Sequence, residues 1–439
     1  MTTETHRLDK YFGKLWRSRD FRTLWISLTI THFGGQVTFL ALPLTAALML
    51  NASPFEMGIL TAFEALPYTL FGLFTGVLVD RSKKLPLIIM ADVGRGLALL
   101  AVPVAAWFGW LSMPVLYVVG FLVGVGGIVG WAAYQVFMTE RVGRQNLVEA
   151  NSRIALSDSS AQLIGPGLAG IFIHWLTAPF AILLDAIAFF SSAMMLKSIR
   201  AQASDAPKIR EKDATVWQDA KEGLHLIWNN PVLRSLAWGL AIWQFLKHMY
   251  FAIVILFAAR DLALSPGTIG VVWMMGGVGF LIASFWVQHA NRRFGVGRVM
   301  LGGLFSTGVA WLLIAWVSPG SWAALHLGIA IFVLDLGAML FFINYLTLRQ
   351  SVTPDHLLGR VTSTMIFLSI ACAPLGSLAG GAMAEVFGLR TTIGVSGVGG
   401  LALCIVLARF SPLAAMRELP SHIPRVPPTV ASSQELAAE

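Results

Sequence analysis

Long apolar segments separated by short polar links make up most of this chain of 439 residues. Each segment reaches the length of ~19 residues that a helix needs to cross the hydrocarbon core of a bilayer. Helices are expected because a segment in lipid has to satisfy its backbone hydrogen bonds internally. We therefore predict an all-α polytopic membrane protein with twelve transmembrane helices. The predicted spans are 24–49, 55–79, 85–108, 112–138, 154–176, 179–197, 232–258, 266–290, 298–317, 322–347, 360–384 and 391–410.

The spans fall into two sets of six that resemble copies of each other. Ser53-Pro54 matches Ser265-Pro266, and Gly58 matches Gly270, in both cases 212 residues further along the chain. Parallel repeats of this kind are related by an axis along the membrane normal, and a substrate site lies between them near the bilayer midplane. The sequence thus predicts two pseudo-symmetric six-helix halves, 24–197 and 232–410, joined by a charged cytoplasmic loop over 198–231.

The composition supports a membrane protein. The chain is 56% hydrophobic and only 12% charged, whereas soluble proteins carry roughly 25% charged residues. The first residues do not combine a short apolar stretch with a small-residue cleavage site, so we expect no cleaved signal peptide. Cys372 and Cys404 both lie inside apolar spans and are expected to be unpaired packing residues.

The basic residues predict the orientation. Of the 31 Lys and Arg, Arg95 and Lys247 fall inside spans, and Arg260 and Arg390 fall on one side. The others fall at or near the opposite side, which the positive-inside rule makes cytoplasmic, together with both termini. The net charge of +8 therefore reflects membrane orientation rather than binding to nucleic acid. We expect a monomer in a bacterial cytoplasmic (inner) membrane.

The two ends of the chain differ from the spans. Residues 1–23 mix basic side chains with apolar ones, which predicts an amphipathic leader on the anionic cytoplasmic leaflet. An ordinary solvated leader is the alternative. Residues 411–439 contain Pro and Ser and lack apolar periodicity, which predicts a disordered cytoplasmic tail.

The link between the second and third spans reads Gly76-Val-Leu-Val-Asp80-Arg81-Ser-Lys83-Lys84. Asp80 ends a predicted helix, where the helix dipole already places negative partial charge, so this acid needs a positive partner. The stretch resembles the signature between the second and third helices of the major facilitator superfamily, broadly G-x-L-x-D-R-x-G-R-K, with Lys83 where Gly is common. The resemblance is consistent with a conformational latch formed by Gly76, Asp80, Arg81 and Lys84 and braced by Asp92 and Arg95, which are three apart and therefore able to pair.

A second resemblance lies in the fifth span, where Gly165-Pro166-Gly167-Leu-Ala-Gly170 resembles the G-P-x-x-G element of facilitator antiporters, which are exporters. Plain helix packing is the alternative, because small residues permit close approach of helices. We single out Gly165, Pro166 and Gly170 for either role.

Three further phrases narrow the resemblance to a branch of the superfamily: Ala91–Arg95, Glu140–Asn151 and Leu184–Phe190. Together they resemble the macrolide-efflux and enterobactin-exporter branch, also called transmembrane secretion effectors. The resemblance covers roughly residues 10–410. It implies a secondary transporter that works by alternating access, with helices 1, 4, 7 and 10 lining a central cavity.

Polar side chains inside spans are costly and therefore mark functional sites. Gln244, Lys247, His248 and Phe251 share one face of the seventh span, at i, i+3, i+4 and i+7. Asp335 lies near the middle of the tenth span. Because the resemblance places these helices around the cavity, we predict that it is lined by Lys247, Gln244, Gln36, Phe39, Trp243, Phe251, Trp131, Tyr134, Phe342 and Tyr345.

The same spans supply candidates for proton coupling. Lys247 and Asp335 have opposite charges and similar depth, so protonation of Asp335 would free Lys247 and exchange a proton for a substrate. A static bridge between helices 7 and 10 is the alternative. Glu64 has no obvious partner and is a rival protonation site. His32 and His248 complete the set, because imidazoles change charge near neutral pH.

The sequence carries no P-loop and no His/Cys cluster at metal-ligand spacing, so we predict no enzyme activity, no metal and no cofactor. Aromatic stripes favour a bulky, partly apolar substrate, and Lys247 favours negative charge. The predicted function is proton-coupled export of an amphipathic small molecule, a drug-like compound or a siderophore. An importer or lipid flippase on the same fold, or a non-transporting membrane scaffold or receptor, are the alternatives.

Overall fold

The computed structural model describes residues 14–199, 216–354 and 357–417. Within these residues, twelve helices of 19 to 30 residues follow one another along the chain, and no strand is present. The prediction of an all-α protein is confirmed. The helices are α1 Arg19–Leu48, α2 Pro54–Arg81, α3 Lys84–Trp107, α4 Met113–Val142, α5 Leu147–Leu176, α6 Ala178–Leu196, α7 Pro231–Leu256, α8 Pro266–Phe294, α9 Val296–Trp316, α10 Ala323–Val352, α11 Leu358–Phe387 and α12 Leu389–Phe410.

Nine of the described helices are long and apolar enough to cross a membrane, and the bent helix α2 makes a tenth if it counts as one span. Helices α1 and α5 are less apolar because they carry polar side chains such as Gln36 and Gln162, and both of these side chains face the interior of the bundle. The protein is therefore a multi-pass membrane protein, and the number of twelve crossings stays a prediction.

The repeated Ser-Pro pairs begin equivalent helices in the two halves. Ser53 caps α2 by accepting a hydrogen bond from the backbone N–H of Glu56, whose carboxylate accepts one from the Ser53 N–H at 2.7 Å. Ser265 caps α8 in the same way through the Thr268 N–H at 3.3 Å. In both helices a proline follows the cap, a position where its missing N–H is not needed. The sequence repeat is thus a structural repeat.

The two halves also repeat the same pattern of neighbouring helices. In the first half, α1 packs on α5 and α6, α2 on α4, and α3 on α4 and α6. In the second half, α7 packs on α11 and α12, α8 on α10, and α9 on α10 and α12. Between the halves, α2 packs along α11 and α5 packs along α8. Because α8 is the counterpart of α2 and α11 the counterpart of α5, these two contacts are equivalent, as two pseudo-symmetric halves require.

Glycines hold the halves together near the start of α2 and α8. A Cβ on Gly58 would lie 2.8 Å from Cα of Gly381 in α11, and one on Gly170 would lie 3.1 Å from Cα of Gly270 in α8. We call this the closed end. Five helical turns further along α2, a Cβ on Gly76 would meet no heavy atom of the described residues within 4 Å. We call that side of the bundle the open end.

The predicted loop between the halves contains a helix. The linker helix, Val216–Asn229, packs on α11, where Arg360 forms an ion pair with Glu222 at 2.5 Å. It forms because its apolar side chains fall on one face, and that face buries Ile227. Residues 200–215 of this loop, 1–13 of the predicted leader and 418–439 of the predicted tail lie outside the described residues.

Candidate functional site

A central cavity lies between the two halves. It consists of two adjoining volumes of about 480 Å³ each, and both volumes are lined by Gln162, Trp243, Lys247, Phe280 and Asp335. The volume nearer the closed end adds residues of α1, α8 and α9, and the volume nearer the open end adds residues of α10 and α11. Volumes of this size match the range of roughly 300–1,000 Å³ that holds drug-sized ligands.

Lys247 of α7 and Asp335 of α10 both line the two volumes of this cavity. Among the described residues, neither side chain takes part in an ion pair within 4.0 Å. The Asp335 carboxylate lies directly against the backbone of Gly276 in α8, where a Cβ would collide with it. The Lys247 ammonium lies 5.1 Å from the centre of the Trp243 ring, a cation–π distance. In this conformation the two charges thus share one cavity without direct contact.

The residues predicted to share one face of α7 make different contacts: some line the cavity, and one forms a hydrogen bond within α7 itself. Gln244 lines the volume nearer the open end. The Nδ1 atom of His248 lies 2.8 Å from the carbonyl oxygen of Gln244, and because a carbonyl only accepts, Nδ1 carries the hydrogen. Phe251 contacts Phe39 of α1 with ring centres 5.7 Å apart, which joins the two halves.

The other predicted lining residues separate into two groups. Gln36, Phe39 and Phe251 line the volume nearer the closed end, and Phe342 and Tyr345 line the volume nearer the open end. Trp131 and Tyr134 line a different cavity, inside the first half. Their spacing in α4 predicts that these two side chains lie close together, and their rings do stack with centres 5.9 Å apart. Spacing alone does not show which neighbouring helix covers that face of α4.

This second cavity, of about 240 Å³, is enclosed by α1, α2, α3, α4 and α6 and contains His32, Asp92 and Arg95. The expected pairing of Asp92 with Arg95 is absent among the ion pairs of the described chain. Asp92 instead accepts a hydrogen bond from the Ser192 hydroxyl at 2.6 Å. The Arg95 guanidinium lies 3.9 Å from the centre of the Phe189 ring. Arg95 reaches this position because α4 carries a glycine where a Cβ would collide with its side chain.

His32 joins α1 to α5 rather than lining the central cavity. Its Nδ1 atom lies 3.3 Å from the Asp158 carboxylate, which also accepts a hydrogen bond from Gln162 at 2.8 Å. Sequence reasoning missed Asp158 and Gln162, although both fall inside the fifth span. Their spacing with Pro166, at i, i+4 and i+8, is the signal that would have found this face.

Two further lining residues also escaped the sequence analysis. Arg349 lines the volume nearer the open end from the last turn of α10, just beyond the predicted span. Trp311 of α9 lines the volume nearer the closed end. No sequence signal distinguishes Trp311, because a tryptophan inside a span ordinarily reads as a packing or interface residue.

The predicted latch lies at the open end of α2. Asp80 is half-buried, Arg81 is exposed and Lys84 is buried. Asp80 forms no ion pair with any other described residue, and the neighbouring Gly76 has free space beside it. Within the described part of the chain, Asp80 is therefore not paired with the second half in this conformation.

Glu64 and the antiporter-like element occupy contacts between helices. Glu64 of α2 packs on α4, where a Cβ on Gly120 would lie 3.0 Å from its Cγ, and it lines neither cavity. In α5, Gly165 lies against Gln36, and Pro166 lines the central cavity. Gly170 completes the contact with α8 at the closed end. This element thus both packs helices and shapes the cavity.

Comparison with known proteins agrees with this architecture. The chain is 28% identical to the multidrug efflux pump Tap of Mycolicibacterium fortuitum over 368 residues, which cover 82% of this chain and 88% of that protein. It is 22% identical to the enterobactin exporter EntS of Citrobacter koseri over 394 residues, which cover 88% and 89% of the two chains. A crystal structure of a variant of the nucleoside transporter NupG has the same fold, with a TM-score of 0.74, 10% identity and coverage of 90% and 100%.

The family assignment follows from the whole length of the chain. The model of the Major Facilitator Superfamily matches residues 24–373 and, in a second match, residues 245–432. The relatives are transporters with efflux functions, and the cavity between two six-helix halves is a site for a small molecule rather than for enzyme chemistry. The chain belongs to the Major Facilitator Superfamily and is a multi-pass membrane transporter.

Proposed function

We propose that the protein exports an amphipathic small molecule across a bacterial cytoplasmic membrane in exchange for protons. The observation that carries this proposal is the cavity that Lys247 and Asp335 both line, without an ion pair to each other or to any other described residue. Asp335 is the one carboxylate among the described residues that line it. A proton on Asp335 removes the charge that attracts Lys247, and loss of the proton restores that charge. The protonation state of Asp335 therefore sets the charge that a substrate meets in the cavity.

Alternating access follows from the asymmetry between the two ends. At the closed end, Arg260 donates a hydrogen bond to the Ala47 carbonyl at 2.9 Å, and Glu385 accepts one from the Phe55 N–H at 3.0 Å. Both bonds connect the two halves. In the opposite conformation these bonds break and the open end closes. The Asp80 latch would then meet the second half.

The positive-inside rule indicates which end of the bundle faces the cytoplasm. The closed end carries Arg260 and Arg390, whereas most basic residues lie toward the open end. The open end therefore faces the cytoplasm, with both termini, and the conformation described is the one that loads substrate from inside the cell. The names of the relatives Tap and EntS, an efflux pump and an exporter, support the outward direction. We expect a monomer, because each chain holds a complete cavity.

Substrate-evoked proton movement in proteoliposomes tests this function. Amphipathic drugs and siderophores are screened for proton flux with the wild type, Asp335→Asn and Glu64→Gln. The second variant is a matched control, because Glu64 is an intramembrane acid that lines neither cavity. Flux that appears with a ligand, disappears in Asp335→Asn and persists in Glu64→Gln is the expected result.

Other outcomes contradict the proposal in distinct ways. Proton flux that persists in Asp335→Asn and is lost in Glu64→Gln would show that the proton-coupling residue lies outside the cavity. Transport that requires no proton gradient would remove coupling altogether. Movement of a labelled phospholipid in place of any soluble ligand would favour a flippase.

A further inference from the structure

Three side chains that line the central cavity carry buried hydrogen-bond donors without a partner among the described residues. The indole N–H groups of Trp243 and Trp311 and the Nε atom of Arg349 lack a hydrogen-bond partner among the described residues. These side chains are 5%, 0% and 5% exposed, so they are nine-tenths or more buried. All three line the cavity. A buried donor without an acceptor is costly, which points to an acceptor that a ligand supplies.

The charged residues that line the cavity also favour a ligand with negative charge. Among the described lining residues, Lys247 and Arg349 are cationic and Asp335 is the one anion. An indole and a guanidinium donate and do not accept hydrogen bonds. The cavity therefore suits a molecule rich in acceptors and negative charge.

The positions of these groups also fit an elongated molecule. On α10 the lining runs from Ile331 near the closed end to Arg349 near the open end, which is about 27 Å along a helix at 1.5 Å per residue. Trp311 lies near one end of this path, Lys247 and Trp243 lie where the two volumes meet, and Arg349 lies near the other end. The aromatic rings along the path offer faces on which a ligand ring can stack.

We infer that the substrate is an aromatic anion with acceptor oxygens, held in the second half by Lys247, Arg349 and the Trp243 and Trp311 indoles. This inference rests on the proposed function and names the substrate class of the same cavity. The first half contributes Gln36, Phe39 and Gln162 to the lining, which are neutral side chains. Selection for charge is therefore a property of the second half.

Two dyes with one ring system and opposite charge test the inference. Fluorescein is an anion at pH 7.5, and rhodamine 123 is a cation on the same xanthene scaffold. Binding of each dye is measured by fluorescence anisotropy with the full-length protein in phosphatidylcholine nanodiscs, and empty nanodiscs give the background. The wild type is expected to bind fluorescein at least tenfold more tightly than rhodamine 123.

Variants assign that preference to the named residues. Lys247→Gln and Arg349→Gln are each expected to weaken fluorescein binding about tenfold or more, as loss of a charge-assisted hydrogen bond does, and to leave rhodamine 123 binding unchanged or stronger. Trp243→Phe replaces the indole with a smaller aromatic ring that has no N–H, so it is expected to weaken fluorescein binding less than either charge variant. Lys247→Arg retains the charge and is expected to keep most of the affinity. Arg293→Gln, at an exposed position on α8, is the control and should change neither dye.

The outcomes separate this inference from the proposed function. Preference for rhodamine 123, equal binding of both dyes, or no binding above the nanodisc background would overturn the inference, even if proton-coupled transport of another ligand is observed. Loss of fluorescein binding in Arg293→Gln as well as in the cavity variants would also overturn it. Selective fluorescein binding without any substrate-evoked proton flux would support the inference and contradict the proposed function.

Discussion

The closed end depends on a backbone contact that a single methyl group should break. A Cβ on Gly58 would lie 2.7 Å from the Ser377 carbonyl oxygen and 2.8 Å from Cα of Gly381. Both atoms belong to the backbone of α11, so no side chain can rotate away to make room. We therefore expect Gly58→Ala to destabilise the closed end and to favour the conformation in which α2 and α11 separate there.

The size of this effect follows from the cost of overpacking. Extra carbon atoms in a well-packed contact cost about 1–3 kcal/mol. A free energy of this size changes the ratio of two conformations by about 5- to 150-fold. A protein that strongly favours the closed end should therefore show a clearly measurable fraction with that end open.

Distances between spin labels on the two halves measure this fraction. Trp110 and Ser318 are exposed and lie at the closed end, in the first and second half respectively. Labels are attached to cysteines at these positions after Cys372 and Cys404 have been replaced by serine. Double electron–electron resonance then gives the distribution of distances between the two labels in nanodiscs. Gly58→Ala is expected to add a longer distance to the distribution.

Two glycines provide matched controls. A Cβ on Gly302 of α9, or on Gly76 at the open end of α2, would meet no described heavy atom within 4 Å. Gly302→Ala should leave the distribution unchanged, and Gly76→Ala should not add the longer distance. A distribution for Gly58→Ala that superimposes on that of the wild type would refute the reasoning, as would the same lengthening in Gly302→Ala.

Three further predictions follow from single contacts. Arg260→Gln removes a hydrogen bond to a backbone carbonyl of α1 and should increase the open fraction at the closed end in the same distance measurement; an unchanged fraction would contradict this role. Gly276→Ala places a methyl group against the Asp335 carboxylate and should reduce substrate-evoked proton flux several-fold, so wild-type flux would count against it. Ser192→Ala leaves the buried Asp92 carboxylate without its hydroxyl donor, which should cost about 1–3 kcal/mol of stability and lower the melting temperature followed by tryptophan fluorescence, whereas unaltered melting would contradict the packing argument.

The sequence predicts most of the fold because hydropathy and repeats report on the bilayer and on internal symmetry. The matched pair Gly58 and Gly270 proved to hold equivalent contacts at the closed end, one against α11 and the other against α5. Ser53 and Ser265 cap equivalent helices. These features depend on local spacing, which a sequence contains in full.

The cavity was harder to predict, because spacing along one helix shows which side chains share a face but not which helix covers it. Trp131 and Tyr134 share a face of α4 that closes the second cavity rather than the central one. Asp92 accepts a hydrogen bond from the Ser192 hydroxyl of α6, whereas the spacing predicts a pair with Arg95. Arg349 was missed because it lies beyond the apolar span, where a basic residue ordinarily marks the membrane surface.

Separation of exchange from uphill transport tests the central claim most directly. Inverted membrane vesicles are loaded with a ligand that evokes proton flux, and both one-for-one exchange of labelled ligand and its accumulation under an imposed proton gradient are measured for the wild type and Asp335→Asn. If Asp335 couples proton and substrate in one cavity, the variant retains exchange and loses accumulation, whereas the wild type shows both. Gradient-driven accumulation by Asp335→Asn at the wild-type level would contradict the account.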